Sequence, residues 1–266
     1  MRRFKVGSKE DLELVKQCYQ RFVERKNFMT EELDSGWELW QKNLEKRKFI
    51  CMIFEDESTI QGYVTYHFDK AESMVKQSIN ISELIYDNNR AYQGLMGFIS
   101  SLSDQITEVI YCAHPDEGFH FLLKNPRDCN DPLIDNGMLS RTGYYSVSYM
   151  MRVLDVAGAL NARPNYNGVT GKVIFEIIDP QLEGNNRNFC LELLNGKPTV
   201  SQVGNDPDSR KNLIKLDISL FSQLYSGALS ATRAAFFGQI EASNNETLLL
   251  LDEIFKLEKP FLLEQF

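Results

Sequence analysis

The 266-residue sequence is short of several things, and each shortage closes off a class of function. Cysteine occurs five times, at Cys18, Cys51, Cys112, Cys129 and Cys190, an odd number with no C-x-x-C pair. That is not a disulfide framework, and it points to a reduced, cytoplasmic setting. No apolar run approaches the roughly 18 residues that a membrane-spanning helix needs. The opening stretch Met1–Gly7 has two arginines but nothing apolar behind them, so it does not read as a signal peptide. Basic residues are outnumbered, 29 Lys+Arg against 37 Asp+Glu, for a net charge of −8. A phosphate-binding face needs the opposite balance, so nucleic acid is not an expected partner. There is no Gly-x-Ser-x-Gly, and nothing else in the sequence marks a nucleophilic triad.

What is present is ordinary globular material, 43% hydrophobic and 25% charged. Its length suits one large domain or two. Ser8 and Asp11 suggest a capping box, and Val15, Cys18, Tyr19, Phe22 and Val23 recur at helical spacing over 9–25. A second helix carries Leu33, Trp37, Trp40 and Leu44 on one stripe, which reads as core packing. The pattern then changes to β: 49–54 and 59–68 make a hairpin, and 78–86 a third strand. Asp87, Asn88 and Asn89 then cap a helix over 90–102. A strand at 107–113, a short helix near 119–123, a loop over 124–142 and a strand from Tyr145 to Val153 complete a mixed α+β order. Asp155 caps a brief helix through Leu160, and turn-rich 161–171 marks the boundary between domains 1–160 and 161–266. The second domain has strands at 172–178, 188–194, 199–203 and 213–218. Helices at about 219–224, 228–236 and 246–256 follow.

Few residues suggest chemistry. Cys112, His114, Asp116 and His120 are the densest set of metal-ligand types, but their spacing fits no zinc pattern, and turn capping explains them better. Cys51 and Cys112 sit among apolar strand residues and read as buried and inert, and Asp217 reads as a helix cap. The apolar tail Phe261, Leu262, Leu263, Phe266 has two readings: a frayed end, or a docked arm whose carboxylate serves as an acceptor or base.

These residues resemble a known family, the central and C-terminal parts of Eis-type ("enhanced intracellular survival") GNAT acetyltransferases. The first-domain signals are Gln61 to Tyr66, Ile81 to Leu84, Ala91 through Phe98, and Met151-Arg152-Val153-Leu154-Asp155-Val156 leading to Ala159-Leu160. From about 165 the chain looks like a sterol carrier protein-like domain, with cues at Ile177-Ile178-Asp179, Asp217, Leu224 to Gly227, Gly238-Gln239-Ile240 and Leu251 to Phe255.

The resemblance implies an α+β fold, a GNAT-like mixed-sheet domain followed by a sterol carrier protein-like domain. It also implies acetyl transfer from acetyl-CoA to a primary amine in an intact enzyme that is often a homo-oligomer. In that family the catalytic GNAT domain comes first, and this sequence begins where the second domain would begin. A GNAT cofactor loop reads Arg/Gln-x-x-Gly-x-Gly/Ala after the fourth strand. Here Leu84 to Gly94 has one glycine, with Arg90 four residues before it and Asp87 where phosphates would sit. No acetyl-CoA is therefore expected on this chain alone. Of the family's catalytic groups only the C-terminal carboxylate, on Phe266, carries over. Gln265 stands where some members have an acidic residue, which weakens any preference for polycationic amines. The chain then serves a missing N-terminal domain, in cytoplasm, without membrane or nucleic acid. The alternative is a sterol carrier-like module that holds an apolar small molecule.

Overall fold

The computed structural model describes residues 2–4, 9–46, 49–54, 59–69, 77–122, 150–204 and 211–261. The chain divides into two units, Met1–Tyr145 together with Phe261–Phe266, and Ser146–Pro260.

In the first unit β1 (Arg2–Phe4), β2 (Phe49–Phe54), β3 (Ile60–Phe68), β4 (Ser78–Tyr86) and β5 (Glu108–Tyr111) lie side by side in that order. Neighbours are antiparallel except β4 and β5, which run parallel. Successive strand side chains point to opposite faces. Ile50, Met52, Tyr63 and Ile85 turn to a core shared with α1 (Lys9–Val23) and α2 (Asp34–Lys46). Cys51, Val64 and Leu84 turn to the other, where α3 (Asn89–Ser100) contributes Leu95, Phe98 and Ile99. Burial on both faces explains the unbroken apolar run of β2. Against β4 the register steps from Thr65–Glu83 to Tyr66–Ile81, passing over Ser82. This bulge brings Ile81 and Leu84 into one core although they are three residues apart.

In the second unit the strands are β6 (Gly171–Ile178), β7 (Asn188–Leu194), β8 (Lys197–Gln202), β9 (Leu213–Asp217) and β10 (Glu241–Ala242), in the spatial order β10-β9-β6-β7-β8. β6 and β9 are parallel and the rest antiparallel. The helices are α4 (Val156–Ala162), α5 (Ile218–Ser226), α6 (Ala231–Phe236) and α7 (Asn245–Ile254). Each has a side-chain N-cap, from Asp155, Asp217, Ser230 and Asn244 respectively. β7 and β8 join through Asn195-Gly196, both at positive φ (51° and 77°), the two-residue turn that matches strand twist. Pro198 is tolerated because β8 is an edge strand. Val153, Val156 and Leu160 pack into the core of this unit with Phe175, Phe221 and Leu251.

Of the strand expected over Tyr145–Val153, residues 145–149 lie outside the described ones. Met150–Val153 form no strand, because the Val153 N–H donates to Ser222 Oγ rather than to a sheet neighbour. Ser8 of the expected capping box and the loop 124–142 also lie outside. β1 and β10, three and two residues long, are too short to leave a pattern. Among the described residues no helix is long and apolar enough to cross a membrane.

Candidate functional site

Adjacent parallel strands open a crevice beyond their carboxyl ends, where α/β sheets place their ligands. In the first unit that place lies between β4 and β5. They pair only over Ser78–Ile81 and Glu108–Tyr111, after which β4 runs on to Tyr86 while β5 ends. The residues around the opening are Tyr86, Asp87 and α3 on one side, and Tyr111 and His114 to Phe119 on the other.

On the α3 side Asn88 and Asp87 are already committed. Asn88 accepts from the Ala91 N–H at 2.9 Å, so it satisfies a first-turn amide. Asp87 is clamped by two arginines, one in the last turn of α1 and one just past its end: Arg21 Nε donates to Oδ2 at 2.9 Å and Arg25 Nη2 to Oδ1 at 2.8 Å. Arg21 also donates to the Ile60 carbonyl, and Arg25 to the carbonyls of Asp87 and Tyr86. Beside this clamp, Arg21, Glu24, Arg25, Thr59, Gln61 and Asp87 line a surface depression of about 550 Å³. Gly94 faces the sheet, where a Cβ would stand 3.2 Å from Ile53 Cδ1, so its smallness serves packing. A pyrophosphate needs free amides and positive potential. A helix start whose Ala91 N–H is capped by Asn88 and a glycine packed against Ile53 do not fit the first need, while the two arginines outweigh the Asp87 carboxylate in charge.

The β5 side is aromatic. The Tyr111 hydroxyl donates to Glu117 at 3.1 Å, and Tyr86 and Tyr92 rings lie 4.8 Å apart. Burial, and then Glu117, push the Tyr111 hydroxyl well above its ordinary range. Burial raises Glu117, opposed by hydrogen bonds from the His114 N–H and Tyr111. Into this group comes Phe261, only 4% exposed. Its ring stacks on His114 at 5.0 Å, meets Phe22 edge-on at 5.4 Å and lies under Lys26 Nζ at 5.3 Å. Its N–H donates to the Asn27 carbonyl at 2.8 Å.

The other sequence candidates fall as follows. His114 Nδ1 accepts from the Asp116 N–H, and Glu117 returns the bond to His114 N–H, which is turn capping. Cys112 is exposed, not buried as expected, because it lies just past the end of β5. The side chain of His120 lies outside the described residues. No three metal-ligand residues gather among the described ones. Cys51 is buried, and burial followed by Asp87 raises the Cys18 thiol to about 12, which makes it inert. Asp217 caps α5 through the Leu220 N–H at 2.8 Å. Trp37 and Trp40 pack in the core with Tyr19 and Tyr63, and the Trp40 N–H donates to Glu83. Phe266 lies outside the described residues. The arginine clamp was missed: Arg21 and Arg25 stand four apart, the spacing of one helix face, with Arg25 just past the end of α1.

The acetyltransferase (GNAT) domain family matches residues 32–153, and the sterol carrier protein domain family matches 156–263. The chain is a GNAT-like mixed-sheet domain followed by a sterol carrier protein-like domain. Solved structures repeat both domains. A GCN5-related N-acetyltransferase from Anabaena variabilis superposes with a TM-score of 0.73 at 21% identity, covering 96% of this chain and 60% of its own. Eis1 from Mycobacterium abscessus gives 0.65 at 20% identity, with 98% and 61% covered. A GCN5-related N-acetyltransferase from Kribbella flavida gives 0.67 at 17%, with 96% and 56% covered. The chain thus spans about 60% of the length of these three structures. No curated protein matches it. The GNAT family as a whole uses acetyl-CoA.

Proposed function

We propose that this chain is the non-catalytic portion of an Eis-like N-acetyltransferase that moves an acetyl group from acetyl-CoA to a primary amine. The observation that carries this reading is Asp87, held by Arg21 and Arg25 where a GNAT domain would need phosphate-binding amides. Acetyl-CoA then binds to a catalytic domain that lies upstream or on another chain. This chain helps shape the amine cleft, and the C-terminal carboxylate of Phe266 takes the proton from the amine as it attacks. Among the described residues the exposed Cys112 and the buried Cys18 and Cys190 form no disulfide, which suits a cytoplasmic setting.

An apolar ligand inside the sterol carrier domain is the weaker reading, because Phe175, Phe221, Tyr225 and Phe255 already pack ring to ring at 5.6–6.1 Å. Calorimetry of acetyl-CoA with this chain is the test. The proposal expects no saturable heat at millimolar cofactor, and micromolar binding would sink it. For the carboxylate, deleting Phe266 from the intact enzyme should lower kcat by about 100-fold or more. An unchanged kcat would remove that role.

A further inference from the structure

Arg163 follows α4 in the sterol carrier domain and is only 7% exposed. Its Nη1 donates to the Tyr225 carbonyl at 2.8 Å. The guanidinium lies over the rings of Tyr225 and Phe255, at 5.2 Å from each, and of Tyr166, at 5.7 Å. The tyrosine hydroxyls turn elsewhere: Tyr166 donates to the Leu160 carbonyl and Tyr225 to that of Ala159, so both close the end of α4. Among the described residues Nε and Nη2 have no hydrogen-bond partner, and no acidic side chain pairs with the group. Burial lowers its pKa, yet a guanidinium keeps its proton in any protein environment.

A buried charge with two idle donors is costly. The aromatic faces attract the cation but offer no acceptor in the guanidinium plane. Nε and Nη2 form one edge of the fork, spaced to donate in parallel to two oxygens of one carboxylate. We propose that Arg163 is a carboxylate-binding site of the sterol carrier domain, with Tyr166, Tyr225 and Phe255 as its walls. The carboxylate belongs either to a small free anion or to the head of an acyl chain. The packed rings favour the first.

The test is titration of the full chain with sodium acetate and with sodium octanoate, at ionic strength held constant with chloride, followed by calorimetry and thermal shift. Saturable stabilisation is expected. Similar affinities for the two identify a bare carboxylate as the ligand, and octanoate about tenfold tighter identifies an acyl head group. Arg163→Lys keeps the charge over the rings but loses the fork, and should weaken binding about tenfold. Arg163→Met should abolish it, and if that variant fails to fold the lysine variant decides. No saturable effect of either carboxylate on the wild type, or equal binding by Arg163→Lys, overturns the proposal.

Discussion

Arg152 Nη2 lies 2.5 Å from Asp179 Oδ1, an ion pair that joins the segment before α4 to the end of β6. The carboxylate also accepts from Asn185 Nδ2 and from the backbone N–H groups of Gln181 and Leu182. Burial alone would raise its pKa. The bonds from Asn185, Gln181, Leu182 and Arg152 outweigh it and hold the group at about 2. A depressed folded pKa contributes stability above the unfolded value, near 3.9, and loses it as pH falls through about 2. Calorimetric unfolding should therefore show the sterol carrier domain weakening from about pH 4 downward. Asp179→Asn should cost roughly 2–4 kcal/mol at neutral pH and flatten that acid slope. A variant with the wild-type slope would refute the assignment.

Much of this architecture could be read locally. An apolar run located β2 and a stretch rich in β-branched and aromatic residues located β3, while Asn88, Asp155 and Asp217 marked helix starts because side-chain caps act within three residues. The candidate site was less legible for the opposite reason. Asp87 was read as a charge unsuited to phosphate, but its partners Arg21 and Arg25 stand more than 60 positions away, and no local spacing announces them. Phe261 reaches His114 across a still longer separation, so sequence could say that an apolar tail wants cover without saying where.

The clamp predicts a salt-sensitive contribution. Asp87→Asn keeps the shape and removes the charge that both arginines share. The arginine side chains are 39% and 47% exposed, so the loss should be modest, about 1–2 kcal/mol at low ionic strength and less in high salt. Urea unfolding at two salt concentrations checks this. A loss that is equal in both would mean that shape, not charge, matters at Asp87.

Two glycines of the GNAT domain should respond differently to alanine. A Cβ at Gly62 would stand 2.8 Å from the Ile85 carbonyl oxygen, a backbone atom fixed by the β3–β4 ladder, and 3.3 Å from Ala91 Cβ. Gly62→Ala should cost roughly 2 kcal/mol or more. At Gly94 the neighbour is the movable tip of Ile53, and alanine favours the helix by about 1 kcal/mol, so Gly94→Ala should stay within about 1 kcal/mol of wild type. Denaturant midpoints of the two variants decide, and a larger loss at Gly94 would contradict the packing role given to it.

Phe261 should hold the C-terminal segment on the GNAT domain through its ring. Its backbone bond to Asn27 survives any substitution except proline, so Phe261→Ala isolates the contacts with His114, Phe22 and Lys26. Truncating a buried phenylalanine costs about 3–5 kcal/mol in a closed core, and less beside a chain end that can relax. A loss of roughly 2 kcal/mol is expected, with Phe261→Leu recovering part of it. Local opening should rise with it, so trypsin should cut after Lys256 faster in Phe261→Ala than in wild type, followed by mass spectrometry of the released C-terminal peptide. If that rate does not change, the ring is not what fastens the segment.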